Sequence, residues 1–455
     1  MSRWRLPSLV LAALAAFVGC SRVPAAPNVV LVVIDTLRAD HVGCYGYAQA
    51  ATPRLDALAA RGTRFAAARA TSSWTLPSVA SILTGRSAVE HGAERVGVAL
   101  GQGHVTLAET LAAAGYETAA FSANVVLVTP EVGIAQGFDR FDVLEIPPPA
   151  DGSAPVGHIA TRAATADLVT DAVLAWVKGR RDPSRPYFVY VHYFDPHASY
   201  APPRAYAERF GVAADDPLVG PEQNLLVRGK PPAEPVLATL RKLYDAEIAF
   251  TDHEVGRLLD GLGVERDGAP ASVVVVTADH GEEFGDHGGM EHGKTLFDEV
   301  LRVPLLIAGS GLPPGRVVEA PVSLVSILPT LTELAGVPPA AGGPGPSLVP
   351  VLRGGEAPAG VVFATLTPPI AKHRSAAVEG TAKVILDRGF KALLFDVARD
   401  PGERTPINDA RLERLQRAIG AHNQAGYKAR AAAPPEKQTI DADRRERLRQ
   451  LGYVE

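Results

Sequence analysis

Four short, uninterrupted apolar runs constrain the fold of this chain more than any other feature of its sequence. They lie at residues 28–34 (NVVLVVI), 187–193 (YFVYVHY), 271–277 (ASVVVVT) and 303–308 (VPLLIA). Short runs rich in β-branched residues are typical of strands that are buried on both faces of a parallel sheet. Helical patterns such as RLDALAARG, TLAETLAAAGY and DAVLAWVKG lie between them. This alternation predicts an α/β fold with a largely parallel central sheet flanked by helices.

A stretch crowded with proline and glycine divides the chain at residues 337–350. After it, TAKVILD and KALLFDV are typical of a strand hairpin, and RLERLQRAIGAHNQ is typical of an amphipathic helix. We therefore predict one large α/β domain at 28–336, a linker at 337–350 and a small C-terminal α+β subdomain at 351–455. With 455 residues, 47% of them hydrophobic, the chain can bury a core of this size.

The charge balance argues against nucleic acid as a partner. The chain carries 45 basic and 50 acidic residues, a formal net charge of -5, and has no long basic stripe. Nucleic-acid backbones are bound by clusters of lysine and arginine. We therefore expect no nucleic-acid partner.

The first twenty residues have the pattern of an export signal. Arg3 and Arg5 precede an apolar run at residues 6–18, and a charged region followed by an apolar one is what signal peptides share. The run is shorter than the roughly 20 apolar residues that span a bilayer. No transmembrane helix is therefore expected in the mature protein.

The end of this segment resembles the cleavage site of bacterial lipoproteins. The resemblance makes residues 1–20 the signal peptide, Cys20 the acylated first residue, and 21–27 (SRVPAAP) a tether. The protein would then be exported to the cell envelope and lipid-anchored in a membrane, facing the periplasm or the outer surface. Cleavage near residues 25–26 would instead release a free protein. The other cysteine is Cys44, so no internal disulfide is expected.

Polar residues follow three of the apolar runs. Asp35 follows the first, Asp195 and His197 follow the second, and Asp279 and His280 follow the third. Ligands bind beyond the carboxyl ends of the strands in open α/β sheets, so these groups are expected to converge. A single carboxylate there is more often a solvated loop residue, but an adjacent Asp and His form a denser cluster. Carboxylate and imidazole together suit zinc or manganese, whereas calcium prefers oxygen ligands alone.

Longer motifs carry a family resemblance. Five segments resemble, in the same order, the motifs of the sulfatase family within the alkaline phosphatase superfamily: NVVLVVIDTLRADHVGCYGY, TPRLDALAARGTRF, TLPSVASILTGRSAVEHG, TADHGEEFGDHGGMEHGKTLFDEVLRVPLLI and LFDVARDPGERT. The final RLRQLGYVE resembles a common ending in this group. The resemblance covers nearly the whole mature chain. It implies the fold of that superfamily and a metal-dependent hydrolase of anionic, sulfate or phosphate, esters.

The resemblance also assigns a metal site and a nucleophile. Asp35, Asp279 and His280 match metal ligands of the family, and Thr75 stands at the nucleophile, which also contacts the metal. This implies one divalent metal ion, Zn, Mn or Ca. Typical sulfatases have Cys or Ser there, within C/S-x-P-x-R, and convert it to formylglycine. Here Thr75 begins TLPSV and Val79 replaces the arginine, so that conversion is not expected.

Two other departures point to phosphoryl chemistry. Thr36 stands where many sulfatases have a second metal-binding Asp, and His280 stands where many have Asn. The site is similar to that of the Thr-nucleophile branch of the superfamily, which moves phosphoryl groups. The resemblance thus implies that the metal lowers the pKa of the Thr75 hydroxyl and that a phospho-threonine intermediate forms.

Further roles are implied by position in the family motifs. His197 resembles a histidine near the leaving group and would protonate the departing oxygen. Lys294, near the anion-binding lysine of the family, would stabilise the oxyanion, and His292 lies beside it. A lone histidine or a surface lysine is, however, more often structural. The other charged residues nearby either surround the site or belong to a solvated loop or turn: Arg38, Asp40, Glu282, Glu283, Asp286 and His287.

The main prediction is a hydrolase of anionic esters that acts on a small molecule, a glycan or a lipid. One alternative is a catalytically silent sulfatase-like protein that binds anionic glycans or lipid head groups; the metal cluster beside a hydroxyl argues against it. The other is a phosphoethanolamine-type transferase. The expected absence of several transmembrane helices argues against that one.

Overall fold

The computed structural model describes residues 26–146, 163–213, 215–219, 230–264, 271–338, 345–367, 373–387 and 391–450. The predicted signal peptide at 1–20, with Cys20, lies outside these residues, as do most of the tether and residues 339–344 of the linker. Within the described ranges no helix combines the length and apolar character needed to cross a membrane.

The strands agree closely with the predicted apolar runs. In chain order they are β1 (Asn28–Ile34), β2 (Thr63–Arg69), β3 (Val98–Ala99), β4 (Glu117–Ser122), β5 (Arg140–Val143), β6 (Tyr187–Tyr193), β7 (Ser272–Thr277), β8 (Glu283–Phe284), β9 (Met290–Glu291), β10 (Leu305–Gly309), β11 (Arg316–Ser323), β12 (Val362–Leu366), β13 (Arg374–Glu379), β14 (Ala382–Asp387), β15 (Lys391–Asp396) and β16 (Glu436–Lys437).

An eight-stranded sheet lies at the centre of the molecule, in the order β11, β2, β10, β7, β1, β6, β4 and β5. Neighbouring strands are parallel except at β10, which runs antiparallel to both β2 and β7. The central strands β6 and β7 are buried along their whole length, and β1 is buried after its first residue. The predicted α/β fold with a largely parallel sheet is confirmed.

Helices cover both faces of this sheet or belong to the C-terminal part. The α-helices are Pro53–Arg61, Thr75–Thr84, Ala88–His91, Leu107–Ala113, Ala166–Lys178, Arg204–Arg209, Glu234–Leu262, Asp298–Leu301, Ile327–Leu334, Val349–Leu352, Ala410–Ala432 and Ala442–Gln450. Local sequence explains their ends: Thr106 and Glu109, for example, form a capping box at the start of Leu107–Ala113. Short 3-10 turns lie at Ala39–His41, Gly43–Tyr45, Pro130–Val132 and Leu324–Ser326.

The C-terminal part contains an antiparallel sheet of four strands, in the order β12, β13, β14 and β15. The helix Ala410–Ala432 packs on it and buries Leu415 and Ile419. The small α+β subdomain is thereby confirmed, including the predicted β14–β15 hairpin. The chain then returns to the large domain, where β16 pairs with β3. The domain limits at 336 and 351 stay a prediction.

A buried lysine joins the C-terminal sheet to the large domain. Lys383 lies in β14, and its ammonium is 2.7 Å from Asp298 Oδ1 and 2.9 Å from Glu403 Oε1. Asp298 also accepts a hydrogen bond of 2.7 Å from the Arg69 guanidinium. Although burial acts to raise it, Arg69 and Lys383 hold the pKa of Asp298 well below its ordinary value. This group is therefore a charged network without solvent to screen it.

We expect Lys383→Met to lower the free energy of unfolding by about 3–5 kcal/mol, because it leaves the buried Glu403 without its cation and Asp298 with Arg69 alone. Urea denaturation measures the effect. Lys391→Met, at an exposed position of the neighbouring strand, is the matched control and should change stability by less than about 0.5 kcal/mol. Equal stabilities for the two variants would contradict the assignment.

Candidate active site

Three adjacent strands place the candidate residues at one edge of the sheet. β1 lies between β6 and β7, and Asp35 follows β1 while Asp279 and His280 follow β7. This carboxyl edge is where α/β sheets bind ligands. Thr75 reaches the same point as the first residue of the helix Thr75–Thr84. All four side chains are fully buried.

Four side-chain atoms face one another there, and we call them the four-atom cluster. His280 Nε2 lies 3.1 Å from Thr75 Oγ1, 3.4 Å from Asp279 Oδ2 and 3.8 Å from Asp35 Oδ1. Ligands bound at about 2.0 Å to a tetrahedral cation are about 3.3 Å apart. Neither carboxylate oxygen of the cluster accepts a hydrogen bond from the described residues. Buried oxygens without partners are costly, so this donor set fits a divalent cation.

The second oxygen of each carboxylate is occupied by hydrogen bonds. Asp35 Oδ2 lies 2.8 Å from Asn124 Nδ2 and 3.1 Å from His192 Nε2. Asp279 Oδ1 accepts from the backbone N–H of Thr36 at 3.3 Å and from that of the residue following Asp279 at 2.9 Å. Each carboxylate is thus oriented with one oxygen in the cluster.

The two carboxylates also affect each other electrostatically. Burial and the neighbouring Asp35 raise the pKa of Asp279 to about 6. Burial acts to raise the pKa of Asp35 as well, but the hydrogen bond with His192 and the charges of His197, His192 and His280 lower it to about 2. Two carboxylates this close do not ionise independently. A bound cation would remove their repulsion.

His280 is held in the tautomer that a metal ligand needs. Its Nδ1 lies 2.9 Å from the carbonyl oxygen of Gly281, and because a carbonyl only accepts, Nδ1 carries the hydrogen. Nε2 therefore presents its lone pair to Thr75. The helix Thr75–Thr84 is fixed to the same strand end, because Ser78 Oγ donates to the Asp279 carbonyl at 2.5 Å. Thr75 thus lies at a helix N-terminus, where partial positive charge favours anions.

Two further imidazoles extend from the cluster. The ring of His292 lies 4.3 Å from that of His280, measured between centroids, and its Nε2 is 3.0 Å from His197 Nε2. His197 Nδ1 donates to the Ala198 carbonyl at 2.6 Å. Burial, with the charge of His280 and other neighbours, lowers the pKa of His292 well below its ordinary value. The structure thus brings His197 and His292 to the site that the sequence assigned them.

Lys294 is hydrogen-bonded within its own turn. Its ammonium donates to the Met290 carbonyl and to the Glu291 carboxylate, both at 2.9 Å, and about a third of the side chain is exposed. Both of these hydrogen bonds lie within the turn that contains Lys294. The oxyanion role of Lys294 stays a prediction.

Most of the charged residues nearby are not solvated. Glu282 and Glu283 are fully buried, and Glu282 accepts a hydrogen bond from Tyr200. The Arg38 guanidinium pairs with Asp40 at 2.7 Å and Asp286 at 3.0 Å. The interpretation of this segment as a solvated acidic loop is therefore wrong for both glutamates, since both are buried and Glu283 accepts a hydrogen bond from Thr295.

Sequence reasoning missed His192 and Asn124, which hold Asp35. His192 lies within β6, where a strand buried on both faces gives no pattern that singles out one residue. Its register opposite Val33 on one side and Ser122 on the other brings it beside the end of β1. Asn124 is detectable in principle, since it is a polar residue just after β4, as Asp35 is just after β1.

We expect Asp279→Asn to lose the metal, because one of two anionic ligands becomes neutral. Elemental analysis after dialysis should find about one divalent ion per wild-type chain and close to none in the variant. Asp171→Asn, at an exposed ion pair with Arg257, is the control and should keep its metal. Full metal content in Asp279→Asn would remove Asp279 from the ligand set.

The chain is similar to known proteins over most of its length. The family described as Sulfatase matches residues 27–337. Human arylsulfatase A is 30% identical over 473 residues, covering 87% of this chain and 86% of its own. Among solved structures, BT4656 in complex with its substrate D-glucosamine-2-N,6-O-disulfate aligns with TM-score 0.72 at 21% identity, over 90% of this chain and 99% of that one. The phosphonate monoester hydrolase from Silicibacter pomeroyi aligns with TM-score 0.61 at 25% identity, over 88% and 96%.

Proposed function

Since the chain belongs to the sulfatase family of hydrolases, we propose that it hydrolyses an anionic phosphoester with Thr75 as nucleophile and one divalent cation. Asp35, Thr75, Asp279 and His280 would hold that cation. The observation that carries the proposal is the Thr75 hydroxyl, which lies in the four-atom cluster, 3.1 Å from His280 Nε2, at a helix N-terminus. A small molecule, a glycan or a lipid would carry the ester.

The preference for phosphate follows from the attacking residue. A formylglycine hydrate can expel sulfate by losing the proton of its geminal hydroxyl. Threonine has no geminal hydroxyl, so a sulfated Thr75 would have to be hydrolysed directly. A phosphorylated Thr75 can be attacked in line by water while the transferred group is stabilised electrostatically. The similarity to a phosphonate monoester hydrolase supports this direction.

The residues of the chain divide the reaction between them. Thr75 releases its hydroxyl proton to solvent, and Oγ1 bonds to phosphorus as the bond to the leaving oxygen breaks. His197, connected to the site through His292, gives that oxygen a proton. Water then attacks phosphorus and the P–Oγ1 bond breaks. One proton of the water returns to Oγ1, the other leaves on the released phosphate, and His197 regains a proton from solvent. A bound divalent cation would supply a lower pKa for the Thr75 hydroxyl and charge neutralisation for the ester oxygens.

We expect higher kcat/KM for a phosphate mono- or diester than for the matching sulfate, measured with one leaving group on metal-loaded protein. Thr75→Ala should lose about 10³-fold or more of both activities, because no other hydroxyl of the cluster can replace the nucleophile. Thr84→Ala is the control: it removes a buried hydroxyl at the other end of the same helix and should keep the wild-type rate.

Two further results decide between the mechanisms. Mass spectrometry of protein stalled during turnover should find a phosphate adduct on Thr75. Clean sulfate turnover without phosphoesterase activity, or full activity of Thr75→Ala, would overturn the proposal. A metal-loaded protein that turns over none of these esters would instead favour the silent binder.

We also propose that the mature protein is anchored in a membrane through acylated Cys20. The support is the order of charged, apolar and Gly-Cys residues at 1–20. A single acyl chain binds a bilayer only marginally, so stable anchoring needs the several chains of a lipoprotein.

Wild-type protein is expected in the membrane fraction, and Cys20→Ala in the soluble fraction after processing. Cys44→Ala is the matched control, since it removes the other cysteine, and it should stay with the membrane. Membrane association of processed Cys20→Ala would contradict the anchor.

A further inference from the structure

Both carboxylates of the four-atom cluster are prepared to give a cation one oxygen each. Asn124 and His192 occupy Oδ2 of Asp35, and two backbone N–H groups occupy Oδ1 of Asp279. Only Oδ1 of Asp35 and Oδ2 of Asp279 are left without a hydrogen bond among the described residues. To bind a cation through both oxygens, either carboxylate would have to break these buried hydrogen bonds, and that is costly.

The hydrogen bonds to Asp35 form a relay whose direction can be deduced. An ionised carboxylate only accepts, so His192 Nε2 must carry the hydrogen that lies 3.1 Å from Oδ2. Nδ1 of the neutral ring is then an acceptor, and the Tyr190 hydroxyl donates to it at 2.8 Å. Tyr190 and His192 are both fully buried. Although His192 Nε2 lies within 4.8 Å of both aspartates, it is a donor to Asp35 and not a ligand.

The pair of backbone hydrogen bonds to Asp279 has a conformational cost. The backbone N–H of Thr36 donates one of these two hydrogen bonds. Thr36 has φ 56°, which is an unfavourable conformation for a β-branched residue. The Thr36 carbonyl accepts a 2.7 Å hydrogen bond from Tyr244, which holds the peptide in this orientation. The fold thus maintains strained backbone where it fixes the second carboxylate.

The cluster therefore supplies four ligand atoms, namely two carboxylate oxygens, one imidazole nitrogen and one hydroxyl oxygen. Calcium binds about six to eight oxygens and often binds a carboxylate through both of its oxygens. Zinc and manganese also bind imidazole, and zinc commonly has four ligands. We propose that this site selects Zn²⁺ or Mn²⁺ over Ca²⁺. His192 and Asn124 are then positioning residues, because their hydrogen bonds to Oδ2 leave Asp35 only Oδ1 for binding the cation. The inference rests on the metal site of the proposed function.

Calorimetric titration of chelator-treated protein with Zn²⁺, Mn²⁺ and Ca²⁺ tests the selection without any substrate. We expect one equivalent of Zn²⁺ or Mn²⁺ to bind at least about 100-fold more tightly than Ca²⁺. Asn124→Leu and His192→Leu free Oδ2 of Asp35. Each should weaken Zn²⁺ binding by about 10- to 100-fold and reduce the ratio of the Zn²⁺ affinity to the Ca²⁺ affinity.

A pair of milder variants covers the case in which a leucine variant does not fold. Tyr190→Phe removes the hydroxyl that fixes the His192 tautomer, and it should weaken Zn²⁺ binding several-fold. Tyr193→Phe is the control, because the hydroxyl it removes from the same buried strand is bonded to Thr170 at 2.8 Å. Its metal affinity should equal that of the wild type.

X-ray absorption of the zinc-loaded protein should show one imidazole ligand. Two imidazoles would make His192 a ligand and overturn its positioning role. Calcium binding as tight as zinc binding, or equal metal affinities for Tyr190→Phe and Tyr193→Phe, would overturn the selection. Because these readouts need no turnover, their failure leaves the phosphate preference untouched, and a failed phosphate preference leaves the metal selection untouched.

Discussion

The juxtaposition of two buried carboxylates is the constraint on which the rest of this structure depends. β1 and β7 pair in parallel with Val33 opposite Thr277, so the same register places Asp35 opposite Asp279 two residues later. Neither group is exposed to water, and burial together with the neighbouring Asp35 raises the pKa of Asp279 to about 6. Imidazoles, an amide and a helix N-terminus surround the two carboxylates. A divalent cation would neutralise both carboxylates together.

Much of this arrangement follows from local sequence. The runs that became β1, β6 and β7 are recognisable because they are short, β-branched and unbroken, and the residues after them meet because parallel strands end at one edge. Strand direction is another matter. The run at 303–308 is as apolar as the others, yet β10 is antiparallel, since an apolar pattern reports burial and not direction. The assignment of Thr75 depended on family motifs, because nothing in TLPSVASILT itself marks a nucleophile.

The residues that local sequence could not identify are those whose roles depend on strand order. His192 and Asn124 meet Asp35 only because β6 lies between β1 and β4, which is a property of the whole sheet. Lys294 lies in the expected motif, and its ammonium bonds to Glu291 and to a carbonyl of the same turn, while its oxyanion role stays a prediction. Family motifs therefore predict where a backbone segment lies, whereas the contacts of a long, flexible side chain depend on the groups nearest to it.

Thr75 as the proposed nucleophile, with His280 beside it, is consistent with this charge balance. One divalent cation would balance the two carboxylates, so ionisation of Thr75 would add the one unbalanced negative charge in the cluster. A neutral imidazole in place of further anions lets the cation and the helix N-terminus act on that charge. Thr36 contributes a backbone N–H to Asp279, so this position adds no third carboxylate to the four-atom cluster. In the proposed reaction this donor set would leave a bound cation enough positive charge to activate the Thr75 hydroxyl.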